Sequence, residues 1–155
     1  MGSSRQTEVR QYECHEHEAT PGWPVLMNES CNLMPEGQKV IAVVDDDPSM
    51  LKASMTLLDA YGFATETFTS AEDFLRRKSA VHVDCLLLDI HLAGMSGIEL
   101  RHQLTISGST LPVIFMTSHD DEHTRAQAMR AGCVAFLRKP YKARRLIDAI
   151  NAAVL

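Results

Sequence analysis

Four short apolar runs along this chain each end in polar residues. Val40-Ile41-Ala42-Val43-Val44 ends in Asp45-Asp46-Asp47, and Cys85-Leu86-Leu87-Leu88 ends in Asp89. Val113-Ile114-Phe115-Met116 ends in Thr117-Ser118, and Val134-Ala135-Phe136-Leu137 runs through Arg138 into Lys139-Pro140. Continuous runs of this length suit strands buried on both faces. The segments between them have helical spacing. A helix is expected from Pro48 to about Tyr61, with proline in the first turn and Gly62 as the stop. Met50, Leu51, Ser54, Met55, Leu58 and Tyr61 share one side of it. Ala64 to Phe68 alternates like a strand, and Ser70-Ala71-Glu72-Asp73 is a capping-box-like helix start. Further helices are expected at about Gly97 to Ile106, about Asp120 to Ala131 before Gly132, and about 141–154. In the last, Ala143, Leu146, Ile147, Ile150, Ala153 and Val154 face the core.

Five β-α units in alternation predict an α/β fold, a doubly wound five-stranded parallel sheet with right-handed crossovers. The common strand order for five strands is 2-1-3-4-5. Its switch point then lies between the first and third strands, whose carboxyl ends carry Asp45, Asp46 and Asp89. Parallel strands end on one edge, so Thr117 and Lys139 join the same neighbourhood.

The remaining sequence narrows the class. The chain has 155 residues, enough for one domain with a core. A net charge of -5 argues against nonspecific binding to nucleic acid or an anionic membrane. Apolar stretches are too short to span a bilayer, and the N-terminus lacks the apolar core of a signal peptide. Cys85 and Cys133 lie in strand-like apolar contexts, as reduced thiols do, so a cytoplasmic location is expected. Residues 1–38 have no sustained periodicity and read as a flexible extension or expression remnant, leaving 39–155 as the domain. Cys14-His15-Glu16-His17 with Cys31 does not complete a standard zinc spacing.

Three clustered carboxylates repel one another by about 3–4 kcal/mol per pair at 4–5 Å and an effective dielectric near 20. A divalent cation offsets this, and an all-oxygen donor set suits Mg²⁺ or Mn²⁺. A carboxylate beside such a metal and a lysine is a competent phosphoryl acceptor.

From Lys39 to Leu155, about three quarters of the chain, the sequence resembles a response-regulator receiver domain of a two-component system. The residues that carry the resemblance are Val43-Val44-Asp45-Asp46-Asp47-Pro48, Leu87-Leu88-Asp89 with Met95-Ser96-Gly97, Met116-Thr117-Ser118, Ala131-Gly132 and Lys139-Pro140. The resemblance implies a signalling phosphoacceptor rather than a turnover enzyme. Asp89 would be the acceptor, and Asp45 and Asp46 the metal-binding pair, joined by Asp89 and the backbone carbonyl of His91. Thr117 would be the switch hydroxyl, Phe136 the switch aromatic, and Lys139 the phosphate-facing lysine before a cis bond to Pro140. It also implies a sensor histidine kinase or phosphotransfer protein as donor, and a homodimer through the fourth helix, fifth strand and fifth helix. The text resembles receivers that often precede helix-turn-helix output domains. The chain stops after the fifth helix, as a stand-alone receiver or a piece of a longer regulator would. Two departures stand out: Ala93 replaces the common proline four residues after the acceptor, which is expected to loosen that loop, and Phe136 lacks the hydroxyl of the commoner tyrosine.

Other readings compete. Asp47 suits a helix cap better than a metal ligand. His91, His119 and His123 suit solvent better than zinc. An EF-hand start at Asp45, Asp47 and Ser49 fails because Met50 occupies the glycine position. Asp45-Asp46-Asp47 also fits the D-x-D of haloacid-dehalogenase-like phosphatases, but no acidic pair follows Lys139. A phosphorylation-independent interaction domain would not need the acceptor, acidic pair and lysine together.

Overall fold

The computed structural model of the chain describes residues 36–155. The Cys14–His17 and Cys31 cluster, and nearly all of the expected extension, lie outside the described residues. The strands are β1 (Val40–Val44), β2 (Ala64–Phe68), β3 (Cys85–Asp89), β4 (Val113–Thr117) and β5 (Ala135–Arg138). The helices are α1 (Pro48–Ala60), α2 (Ala71–Leu75), α3 (Gly97–Ile106), α4 (Glu122–Ala131) and α5 (Ala143–Ala153). All strand pairs are parallel, in the order β2-β1-β3-β4-β5. This is the flavodoxin-like architecture expected from the alternation.

Side chains alternate across the sheet and so divide the core into two layers. Ala42, Val44, Leu86, Leu88, Val113 and Phe115 pack with Ala71 and Phe74 of α2, Leu100 and Leu104 of α3, and Ala128 of α4. Ile41, Val43, Leu87, Ile114, Met116 and Leu137 pack with Leu51 and Leu58 of α1 and Leu146, Ile147 and Ile150 of α5. The three α5 residues lie on one helical stripe, and burying each contributes about 1.5–3 kcal/mol.

Two expectations change here. Strands β1, β3 and β4 are buried throughout, but β5 is only partly covered, with Leu137 buried and Arg138 exposed. As an edge strand, β5 has a neighbour on one side only. On α1, Leu51, Ser54 and Leu58 turn inward, while Met55 and Tyr61 are 44% and 53% exposed. Met55 lies only one position from the buried Ser54, enough rotation to take it off the inward stripe.

Registers align the carboxyl ends of the central strands. Val44 pairs with Leu88, Asp89 with Met116, and Thr117 with Arg138. Asp45, Asp89, Thr117 and Lys139 therefore emerge on one edge, at the break in strand order between β1 and β3.

Candidate functional site at the carboxyl edge of the sheet

Each acidic side chain is set by its strand end. Asp45 continues the β1–β2 ladder, donating its backbone N–H to the Phe68 carbonyl, and is 1% exposed. Its Oδ1 accepts the Asp47 N–H at 2.9 Å and its Oδ2 accepts from Lys139 Nζ at 2.7 Å. Asp89, the last residue of β3, accepts the His91 N–H on Oδ1 at 3.1 Å and Lys139 Nζ on Oδ2 at 3.2 Å. Asp46 is exposed and accepts the Ala93 N–H at 3.3 Å. Oxygens of Asp45, Asp46 and Asp89 all lie within 4.8 Å of one another. Three carboxylates face one ammonium, so the cluster is two negative charges in excess. Its donors are hard oxygens, which fit Mg²⁺ or Mn²⁺ rather than a softer metal.

Burial pushes the Asp89 carboxyl above its ordinary pKa, against the opposing pull of the Lys139 charge; Asp45 adds to the rise. Burial of Lys139 favours loss of its proton, but the Asp45 hydrogen bond and the charges of Asp89 and Asp45 outweigh it and hold its pKa above normal. The lysine is thus kept charged between the two carboxylates.

Lys139 donates its backbone N–H to the Thr117 carbonyl at 2.8 Å, and the Lys139–Pro140 bond is cis. The Thr117 side chain is fully buried, with its hydroxyl bound to both backbone groups of His119 at 3.0 Å. Phe136 lies on β5 at the edge of the α3–α4 core layer, with the Arg125 guanidinium 4.8 Å above its ring. Arg125 is itself fixed to both oxygens of Asp120 at 2.8 and 2.9 Å.

Asp47 caps α1, accepting the Ser49 N–H at 2.9 Å. Its Oδ1 is turned to that task, the helix cap expected of it rather than the acid/base role of the phosphatase reading. The only acidic residue after Lys139, Asp148, lies on α5 beside Arg144. The loop after β3 is pinned as well as glycine-containing: the Ala93 N–H meets Asp46, and the Met95 N–H meets Glu72 of α2 at 2.9 Å. A proline at 93 would have no N–H for the first of these bonds.

Two features escaped the sequence pattern. His91 and His119 are exposed, as expected, yet His91 Nδ1 lies 3.1 Å from the Thr117 hydroxyl and the two imidazoles stack edge to face at 4.9 Å. The Arg125–Phe136 contact is likewise invisible to periodicity, because it crosses from α4 to β5.

Residues 41–151 match the family model described as response regulator receiver domain, and the chain belongs to that family. It is similar to response regulator protein TodT of Pseudomonas putida, 36% identical over 121 residues that cover 78% of this chain and 53% of TodT. Among solved structures it is similar to response regulator StyR, at 41% identity and a TM-score of 0.68 over 76% of this chain and 60% of StyR. A receiver protein from Burkholderia phymatum is 39% identical with a TM-score of 0.67, over 76% of this chain and 95% of that one. The chain spans about half the length of the curated relatives it matches. Among the described residues, no helix is long and apolar enough to cross a membrane.

Proposed function

We propose that this receiver accepts a phosphoryl group on Asp89 from the phosphohistidine of a histidine kinase or phosphotransfer protein. The observation that carries the reading is the Lys139 ammonium, 2.7 Å from Asp45 and 3.2 Å from Asp89, beside the oxygen cluster completed by Asp46. A carboxylate oxygen of Asp89 attacks phosphorus, the phosphorus–nitrogen bond of the donor breaks, and the departing imidazole keeps the electron pair. The product is an acyl phosphate on Asp89.

Asp45, Asp46, Asp89 and the His91 backbone carbonyl would hold Mg²⁺, which when bound neutralises phosphoryl oxygens as charge develops on them. Lys139, bonded to Asp89 Oδ2, would meet a further phosphoryl oxygen, and Thr117 supplies a hydroxyl once it leaves His119. The new group carries a charge of about -1.5 to -2. Drawing Thr117 toward it moves the loop after β4, and Phe136 beside that loop responds, which shifts the population of the α4–β5–α5 face between two states. Met129 and Val134 are exposed there, on a face suited to a second copy or an output domain.

Acetyl phosphate with Mg²⁺ is expected to add one phosphoryl group to the wild type, seen by intact mass, and none to Asp89→Ala. Equal labelling of the two would overturn the assignment.

A further inference from the structure

The Thr117 hydroxyl has no capacity to spare. A hydroxyl donates one hydrogen and accepts two. This one donates to the His119 carbonyl and accepts the His119 N–H, both at 3.0 Å. His91 Nδ1 is a third partner at 3.1 Å. The hydroxyl has one hydrogen to give and is held from three sides, and the His91 tautomer sets only the direction of the third bond. The hydroxyl makes no bond to Asp89, whose partners are Lys139 and the His91 N–H.

The same ring has somewhere to go. Besides bracing His119 at 4.9 Å, His91 lines a cleft of about 480 Å³ between the loop after β3 and α4. Ser96, Glu99 and Gln127 line the same cleft.

We infer that the His91 side chain is a latch on the switch: a positioning residue that acts through Thr117, holding its hydroxyl in the resting arrangement until a phosphoryl group on Asp89 draws it away. The inference rests on the phosphoacceptor reading and adds to it a group that sets how readily the switch turns. The latch bonds only the resting state, so losing it raises the share of the switched state and tightens binding of anything that prefers that state. The backbone of His91, which donates to Asp89, is unaffected by a side-chain substitution.

The test is beryllofluoride binding in the presence of Mg²⁺, followed by fluorine NMR or calorimetry. His91→Ala, and His91→Phe, which keeps a ring but no ring nitrogen, are expected to bind about three- to tenfold more tightly than wild type, the equivalent of about one hydrogen bond. In a Thr117→Ala background, where no hydroxyl remains to be held, the same substitutions are expected to change nothing. Wild type that binds beryllofluoride while the His91 variants match it overturns the latch alone. An equal gain in the Thr117→Ala background also overturns it, because the ring would then act at Asp89 directly. Wild type that fails to bind overturns the phosphoacceptor reading and the latch with it.

Discussion

Asp89 and Asp121 lie at the same edge of the sheet, and their environments push their carboxyl groups in opposite directions. At Asp89 burial dominates and raises the pKa, with Lys139 limiting the rise. Asp121 is exposed and caps α4, where the Thr124 N–H at 2.7 Å and the Thr124 hydroxyl at 2.9 Å hold its pKa below the ordinary value of 3.8. A carboxylate with a depressed folded-state pKa stabilises the protein above its unfolded-state value, and that contribution is lost as the pH falls through the folded value. Asp121→Asn keeps a capping oxygen but loses the charge at the positive end of the helix dipole. The variant is therefore expected to have a lower urea midpoint than wild type at neutral pH, with the gap narrowing once the pH drops below about 4. A gap of the same size on both sides of that range would mean the charge contributes nothing.

The element that brings the site closest to steric failure is the start of α3. Gly97 lies so near the end of β3 that a Cβ there would stand 2.3 Å from the Asp89 carbonyl oxygen and 3.0 Å from Ile90 Cα. Its own N–H donates to the Ile90 carbonyl at 3.0 Å, so helix and strand end are joined backbone to backbone. Both obstructing atoms are main chain and cannot swing aside. Gly97→Ala is expected to destabilise the protein by about 1–3 kcal/mol, in the range of overpacked cores, and to slow phosphoryl acceptance by displacing Asp89. Urea unfolding and acetyl-phosphate labelling of the same sample test both parts; wild-type values in each would show that α3 moves away at no cost. Gly97 stood out in the sequence as part of Met95-Ser96-Gly97 and as the start of an expected helix. Its role was not legible, because close approach across a loop has no periodicity. The same holds for the full capping box of Ser96 and Glu99, with bonds of 3.0 and 3.2 Å, beside the simpler cap at Ser70. The helices and strands themselves were legible, since apolar runs and 3.6-residue stripes report burial. Where burial is partial, as along β5 or at Met55, apolar character alone overstated it.

At the scale of the molecule, alternation of strand and helix was enough to foresee the sheet order, and the sheet order put Asp45, Asp46, Asp89, Thr117 and Lys139 on one edge. Motif residues at strand ends are legible for that reason: topology converts separations of 94 and 50 residues into ion pairs of 2.7 and 3.2 Å with Lys139. What the chain pattern did not carry is how side chains that share an edge divide their hydrogen bonds, as His91 and Arg125 do. Gathering three carboxylates against one ammonium stores repulsion that folding has to overcome, and a divalent cation relieves it only in the folded state. Binding to the folded state alone stabilises by about 2.7 kcal/mol when the ligand is at a hundred times its dissociation constant. Wild type in saturating MgCl₂ is therefore expected to show a urea midpoint raised by about that energy over the same protein in EDTA. Asp46→Asn removes an exposed carboxylate whose one hydrogen bond, from Ala93, is long. It relieves repulsion within the cluster, so the variant is expected to be at least as stable as wild type in EDTA, yet lose most of the response to Mg²⁺. Lys139→Ala should do the reverse. Without the ammonium the buried carboxylates lose their counter-charge, so the variant starts about 1–3 kcal/mol less stable in EDTA and recovers in Mg²⁺. A midpoint in wild type that ignores Mg²⁺, or an Asp46→Asn variant that responds as fully as wild type, would show that the cluster does not hold a cation in the way its oxygens suggest.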